Sequence, residues 1–181
     1  MAAKVLSIEI CDKTVTVCRI ARKGKGVRIF DSFMFLVPGD CVSDGVISSP
    51  DLLAHELKMQ LASHGMFETK NVYFALSSSK IAVREVKLPP MKKNLISAAI
   101  QTNAGDYFPI DLENYHITHS VLDNPTEENP FIRVLVMAVP VSMLEGYFAL
   151  AETAELSIKA IDSSGNSQYQ ALKSIKSPIN T

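Results

Sequence analysis

Three β-rich runs lie close together at the start of the chain, at Val5 to Ile10, Thr14 to Ile20 and Val27 to Phe35. Only Cys11-Asp12-Lys13 separates the first two, and the third follows Lys23-Gly24-Lys25-Gly26. Links this short join strands as hairpins, because a parallel return needs a crossover of roughly a dozen residues or more. The spacing predicts an antiparallel meander of three strands. Pro38 to Ser48, with Gly39 and Gly45 as turn residues, reads as loop. A helix follows, with Ser49 as N-cap, Pro50 at its first position, Leu53, Leu57 and Leu61 on one stripe, and Gly65 just past its end. Val72 to Leu76 is short and nearly all apolar, the pattern of a strand buried on both faces. Such a strand joins the sheet in parallel through a right-handed helical crossover, so the order β-β-β-α-β predicts a mixed sheet with a helical layer.

After Ser77-Ser78-Ser79, which reads as a hinge and not as a nucleophile for want of a GxSxG elbow, the pattern restarts. Ile81 to Leu88 alternates as a strand, and Pro89 and Pro90 then set a helix start. The predicted helix spans 90–108, with Ile96, Ile100, Ala104 and Tyr107 on one face and Pro109 as its stop. Strands at Tyr115 to Leu122 and Phe131 to Pro140 flank the polar stretch DNPTEENP, which is a loop or flap. A last helix starts with Ser142 and Glu145 in capping-box spacing and carries Leu144, Tyr147, Phe148, Ala151 and Ala154 on one face. The β-α-β-β-α order makes a compact second lobe inserted in the first. Ile158 to Ile161 as a strand and Ser167 to Ile175 as a weak helix complete the first layer. The expected division is 1–79 for the first part of the first lobe, 80–156 for the inserted lobe and 157–181 for the return, with the cap-less end read as a truncation.

Composition narrows the function classes. With 47% hydrophobic and 20% charged residues, the chain is globular and not disordered. A net charge of -1 argues against nucleic acid as a partner, and the basic clusters Arg22-Lys23-Gly24-Lys25 and Lys92-Lys93 read as solvated turn and helix-start residues. Three cysteines, Cys11, Cys18 and Cys41, without CxxC spacing suggest reduced, buried thiols in a cytosolic protein. No metal site is expected: His55 and His64 form no HExxH, and His116 and His119 fall on opposite faces of a strand. Lys4 and Glu9 interrupt the N-terminal apolar segment, so no secretory signal is expected, and Val134 to Val141 is too short to span a bilayer.

Element order and three local motifs resemble the PilM-type pilus assembly proteins, relatives of the division protein FtsA in the actin-like ATPase superfamily. The motifs are Leu6-Ser7-Ile8-Glu9-Ile10 with its turn and Val15 to Ile20, then Asp44-Gly45-Val46-Ile47 before a helix, then Leu88-Pro89-Pro90-Met91 with Tyr107-Phe108-Pro109-Ile110. The resemblance runs from about Val5 to Leu172 and matches the N-terminal half of the family's usual length. It implies an α/β fold of mixed sheets: an actin-like, RNase H-like lobe 1A with an inserted FtsA/PilM-type lobe 1C. It also implies a cytoplasmic protein, peripheral to the inner membrane, that holds the short N-terminal tail of a PilN-like bitopic membrane protein in a groove between lobes 1A and 1C. That tail would bind through apolar pockets and strand-like main-chain bonds. The type II secretion protein GspL has a similar fold and a comparable scaffolding role, so either a pilus or a secretion platform fits, and self-association stays open.

The same resemblance places a nucleotide turn at Glu9, Cys11, Asp12, Lys13 and Thr14. Here the sequence departs from the family, because Cys11 stands where a glycine usually lets backbone amides approach phosphate. The second phosphate loop and the adenosine pocket belong to the half not matched, so no cofactor is expected, with ATP and magnesium bound only together with that half. Glu9 and Asp12 are either remnants of a magnesium-nucleotide site or a strand-end carboxylate and a turn aspartate. Residues 162–167 are either a phosphate-cradling turn or a strand-to-helix connection. Tyr107, Phe108 and Pro109 are the expected partner groove, with core packing the alternative for the two aromatics. The leading expectation is a non-enzymatic scaffold; the alternatives are an actin-like ATPase fragment with a degenerate site and a small fold binding another peptide.

Overall fold

The chain is described from a computed structural model that covers residues 3–24, 26–165 and 167. In chain order its elements are β1 (Val5–Ile10), β2 (Thr14–Lys23), β3 (Gly26–Leu36), β4 (Val42–Ser43), β5 (Val46–Ile47), α1 (Pro50–Ser63), β6 (Asn71–Leu76), β7 (Ala82–Leu88), α2 (Lys93–Thr102), α3 (Ala104–Tyr107), a 3-10 turn at Leu112–Asn114, β8 (Tyr115–Asp123), β9 (Ile132–Pro140), α4 (Val141–Thr153) and β10 (Ser157–Ser163). They divide into two compact units, one of residues 1–78 with the chain from Glu145 on, the other Ser79–Leu144.

The first unit holds a five-stranded sheet in the order β10-β6-β1-β2-β3. β1 pairs antiparallel with β2 and parallel with β6, and β10 runs parallel to β6. Strict alternation on β1 buries Leu6, Ile8 and Ile10 and leaves Ser7 and Glu9 on the opposite face. α1 lays Leu53, Ala54, Leu57 and Leu61 inward. Its C-terminus closes as a Schellman motif: Met66 N–H donates to Leu61 O at 2.8 Å, Gly65 N–H to Ala62 O at 3.1 Å, and Gly65 takes φ +63°. At the other end Pro50 occupies the first turn as expected, but the Ser49 side chain makes no cap bond.

Three local expectations fail here for physical reasons. The stretch 38–48 is not all loop, since Asp44 and Gly45, both at positive φ, form the two-residue turn of the small β4–β5 hairpin. β6 is not buried on both faces: Val72, Phe74 and Leu76 are inside, while Tyr73 is 44% exposed. α4 begins at Val141, so Ser142 lies inside the helix and caps nothing. Its buried residues are Met143, Gly146, Tyr147, Leu150 and Ala151, with Ala154 just past its end, and Phe148 points outward. From Glu145 onward α4 belongs with the first unit and not with the second, which ends at Leu144 instead of 156. The packing shows why: Tyr147 meets Phe74 edge-on with ring centroids 5.4 Å apart, and Gly146 lies so close to Ile47 that a Cβ would sit 3.2 Å from it. The predicted helix 167–175 lies outside the described residues, apart from Ser167.

The second unit is a three-stranded antiparallel sheet, β7-β9-β8, with α2 and α3 beside it. Alternate residues Ile132, Val134, Val136 and Ala138 of β9 pack with Leu88, Ile96, Ile100, Ala104 and Phe108. The expected single helix 90–108 is broken and starts late. Pro89 and Pro90 precede it, and it opens at Lys93 behind Lys92. It stops at Asn103, whose side-chain amide donates to Ala99 O at 2.7 Å and competes with the helical backbone bonds. α3 then adds one turn before Pro109.

Two substitutions test this packing. In Gly45→Ala the new Cβ would lie 2.6 Å from the Ser77 carbonyl oxygen at φ +73°. Chemical denaturation should show a loss of about 2–4 kcal/mol, strain and steric overlap combined. Conversely, the buried Tyr147 hydroxyl has no hydrogen-bond partner among the described residues. Tyr147→Phe should raise stability by about 1 kcal/mol by removing that desolvated group.

Candidate functional site

β7 is an edge strand. It pairs with β9 from Ala82↔Ala138 to Leu88↔Ile132, and among the described residues no strand lies on its other side. Every second residue of such a strand turns its N–H and C=O away from its neighbour, where an extended peptide can take them up. Beside this edge lies a cavity of about 510 Å³, lined by residues 84–87 of β7 and by Gly105, Asp106, Tyr107 and Pro109. The helical corner makes the opposite wall: Asn103 ends α2, the single turn of α3 carries Asp106 and Tyr107, and Pro109 turns the chain away. Arg84, Lys87 and Asp106 bring both signs of charge to the rim, while Val86 and Tyr107 supply apolar surface.

The edge is held rigid from behind. Arg133 of β9 donates to both carboxylate oxygens of Glu85 on β7, at 2.7 and 3.0 Å, and to Asp123 of β8 at 2.7 Å. One guanidinium thus ties three strands together in the bidentate geometry that arginine suits best. The hydrogen bond from Arg133 holds the Glu85 carboxyl below its usual range, with smaller help from the charges of Arg133 and Lys87. Sequence reasoning passed over this cluster. Its one signal was a lone cation inside the apolar run Phe131 to Pro140, and the partners 48 and 10 residues away become neighbours only through strand register.

Of the three residues expected in a partner groove, Tyr107 and Pro109 line this cavity and Phe108 does not. Phe108 is 2% exposed and packs in the core of the second unit, so it supports the corner from inside.

The turn expected to approach phosphate uses its own backbone. Cys11 N–H donates to Thr14 O at 2.9 Å, and the Lys13 carbonyl accepts from Val37 N–H at 3.0 Å. Lys13 Nζ lies 3.7 Å from Asp40 with both side chains in water, a pairing of little energetic weight. Burial, then the charges of Glu9 and Asp12, push the Cys11 thiol up. Glu9 lies on β1 just before this turn. It accepts from Ser164 Oγ at 2.9 Å and lines a cavity of about 280 Å³ with Ser7, Thr16, Cys18, Ala75 and Ser167. The structure therefore joins Glu9 to the 162–167 segment, and keeps Cys11, Asp12, Lys13 and Thr14 out of that cavity. Within the segment, Ser163 N–H and Ser167 Oγ donate to Asp162 at 2.8 and 3.4 Å, as in a strand-to-helix connection. Among the described residues no group of three or more His, Cys, Asp or Glu side chains is placed to hold a metal, and no helix is long and apolar enough to cross a membrane.

A meander extended by two parallel strands in the order β10-β6-β1-β2-β3, interrupted by a small αβ unit, defines a mixed α/β protein. Residues 7–180 match the family model for the type IV pilus assembly protein PilM, and the chain belongs to that family. Its structure overlaps that of a protein in a PilM-PilN type IV pilus biogenesis complex with a TM-score of 0.80 at 19% identity, over 95% of this chain and 51% of that one. It also overlaps the cytoplasmic domain of EpsL, an inner-membrane component of the type II secretion system of Vibrio cholerae, with a TM-score of 0.52 at 14% identity, over 89% and 57%. A Bacteroides thetaiotaomicron protein with an actin-like ATPase fold overlaps with a TM-score of 0.43 at 14% identity, over 95% and 57%. The chain spans about half the length of these structures. Comparison with curated protein sequences gives no match.

The Glu85–Arg133 pair makes a pH prediction. A carboxyl whose pKa is lowered on folding adds stability above its unfolded value, near 4.5, and loses it as pH falls through the lowered one. In thermal melts between pH 7 and 3, wild type should exceed Glu85→Gln at neutral pH, and the gap should close on acidification.

Proposed function

We propose that this chain is a non-enzymatic scaffold of a type IV pilus platform that holds the short N-terminal tail of a PilN-like bitopic membrane protein. Membership of the PilM family over residues 7–180 carries this reading. The likeness to the protein of the PilM-PilN complex supports it, and the resemblance to EpsL keeps a secretion platform as the sister role. In this reading the protein is cytoplasmic and reaches the inner membrane through that partner. Tyr107 and Pro109, beside the open edge of β7, are assigned to the recognition surface. An edge strand flanked by an apolar wall takes an extended peptide by strand addition, with main-chain bonds giving affinity and alternate side chains giving selectivity. Asp106 on the rim suits a basic residue of such a tail.

A second reading has one observation in its favour. Glu9 and the 162–167 segment, far apart in sequence, share one cavity, as remnants of a magnesium-nucleotide site would. Its volume of about 280 Å³ lies just under the usual range for ligand pockets, which starts near 300 Å³.

Parallel calorimetric titrations separate the two. The scaffold reading expects micromolar binding of the synthetic tail of the neighbouring membrane protein and no heat with Mg-ATP. Tyr107→Ala should weaken the peptide by about tenfold or more, as loss of an interface anchor does. Heat with Mg-ATP that vanishes in Glu9→Gln, with none from the peptide, would put the nucleotide reading first.

A further inference from the structure

β1 begins at Val5, which pairs with Ile20, and past that point β2 and β3 run on as a two-stranded ribbon through Ala21↔Arg28, Arg22↔Val27 and Lys23↔Gly26. From Arg22 to Phe30 the sequence holds Arg22, Lys23, Lys25 and Arg28 and no acidic residue. Among the described residues no carboxylate pairs with Arg22, Lys23, Arg28 or the nearby Lys4, whereas Arg19, at the start of the sheet proper, is paired with Asp31. The same tip exposes large apolar side chains: Val27 and Ile29 are each 64% exposed and Phe30 is 37%. Phe30 is the extra residue of a β-bulge, since Arg19 pairs with Asp31 and Ile20 with Ile29. Bulges re-aim side chains in this way. Lys4 Nζ and the Arg28 guanidinium lie 4.6 and 4.9 Å from the Phe30 ring centroid.

The cations surround the tip and do not line one face. Arg22 and Val27 share one face of the ribbon, Arg28 lies on the other, and Lys23 stands at its end. A docked protein would meet one face, and nucleic acid would gain nothing from two exposed aliphatic side chains. An anionic lipid interface meets both needs at once: acyl chains take up the apolar residues and phosphate headgroups surround them. We propose that the β2–β3 tip is a membrane-contact element in which Val27, Ile29 and Phe30 enter the interface of an anionic bilayer while Lys4, Arg22, Lys23 and Arg28 bind its phosphates. This contact is separate from the recognition of a partner's tail.

The test is flotation of the whole chain with vesicles of 30 mol% phosphatidylglycerol in phosphatidylcholine, against pure phosphatidylcholine, at 50 and 500 mM salt. Binding is expected only to the anionic vesicles at low salt. Removing each tip cation should lower the partition coefficient by about fivefold. The triple variant Arg22→Gln, Lys23→Gln, Arg28→Gln should therefore lose about a hundredfold. Val27→Ser with Ile29→Ser, both at exposed positions, should also weaken binding at unchanged charge. Lys92→Gln with Lys93→Gln, in the other basic cluster, should not.

The chain has no tryptophan, so Phe30→Trp gives a unique reporter that should shift to the blue on anionic vesicles, while Phe148→Trp, on the exposed side of α4, should not. No binding to anionic vesicles would overturn the proposal. So would equal loss in the Lys92/Lys93 variant, or a Phe30→Trp signal unmoved by bound vesicles, which would leave an acidic protein surface as the tip's partner.

Discussion

The first unit depends on β1 being paired differently on its two sides. A strand with an antiparallel neighbour at one edge and a parallel one at the other cannot be built from hairpins alone, because the parallel return must cross the sheet. α1 is that crossover, and its stripe of Leu53, Leu57 and Leu61 covers the face that Leu6, Ile8 and Ile10 present. The opposite face carries Ser7, Glu9, Thr16 and Cys18, mixed in polarity, and the cavity with the part-buried Glu9–Ser164 contact lies there. Arg19 locks the corner by bridging Asp31 of β3 and the Gly65 carbonyl beyond α1.

The second unit solves a smaller problem with fewer parts. A three-stranded sheet has two edges, and its central strand β9 must carry both the core and the clamp. Even-numbered residues from Ile132 to Ala138 fill the core, and Arg133 between them spends its guanidinium on both neighbouring strands. That clamp fixes β7 against β9 without covering the far side of β7. The result is an edge strand rigid enough to keep its register and free to accept a further strand, the combination that recognition of an extended peptide requires.

Most of this architecture was legible because periodicity and turn chemistry agree over long segments. The meander, the Gly65 helix end, the order of strands and the polar loop at 124–130 all follow from local rules. What local rules missed depends on neighbours far away in sequence. Tyr73 and Phe148 are apolar, yet they stand exposed where a pattern of hydrophobicity alone puts them inside. Asn103 breaks a helix whose apolar spacing continues straight through it, because a side-chain amide competing for Ala99 O leaves no trace in the periodicity. The candidate site was legible in half. Tyr107 and Pro109 could be picked out as a corner, but the strand that faces them, residues 84–87, is visible only once the sheet has formed.

The distribution of charge also carries meaning that the net value of -1 conceals. In the body of the two units several basic side chains are held by carboxylates: Arg19 by Asp31, Lys58 by Glu155, Arg133 by Glu85 and Asp123. Toward the tip of the β2–β3 ribbon cations gather with exposed apolar side chains, without an acidic residue in the sequence between them. The two kinds of group act over different ranges. Unpaired cations are felt across about 8–10 Å at physiological salt, whereas Val27, Ile29 and Phe30 contribute only on contact. Cations arranged around a small apolar tip therefore orient it before it touches, and the apolar residues then hold what the field has aligned. A surface selected only for solubility has no reason to place the two together, since exposed aliphatic side chains oppose the very solubility that the charges provide.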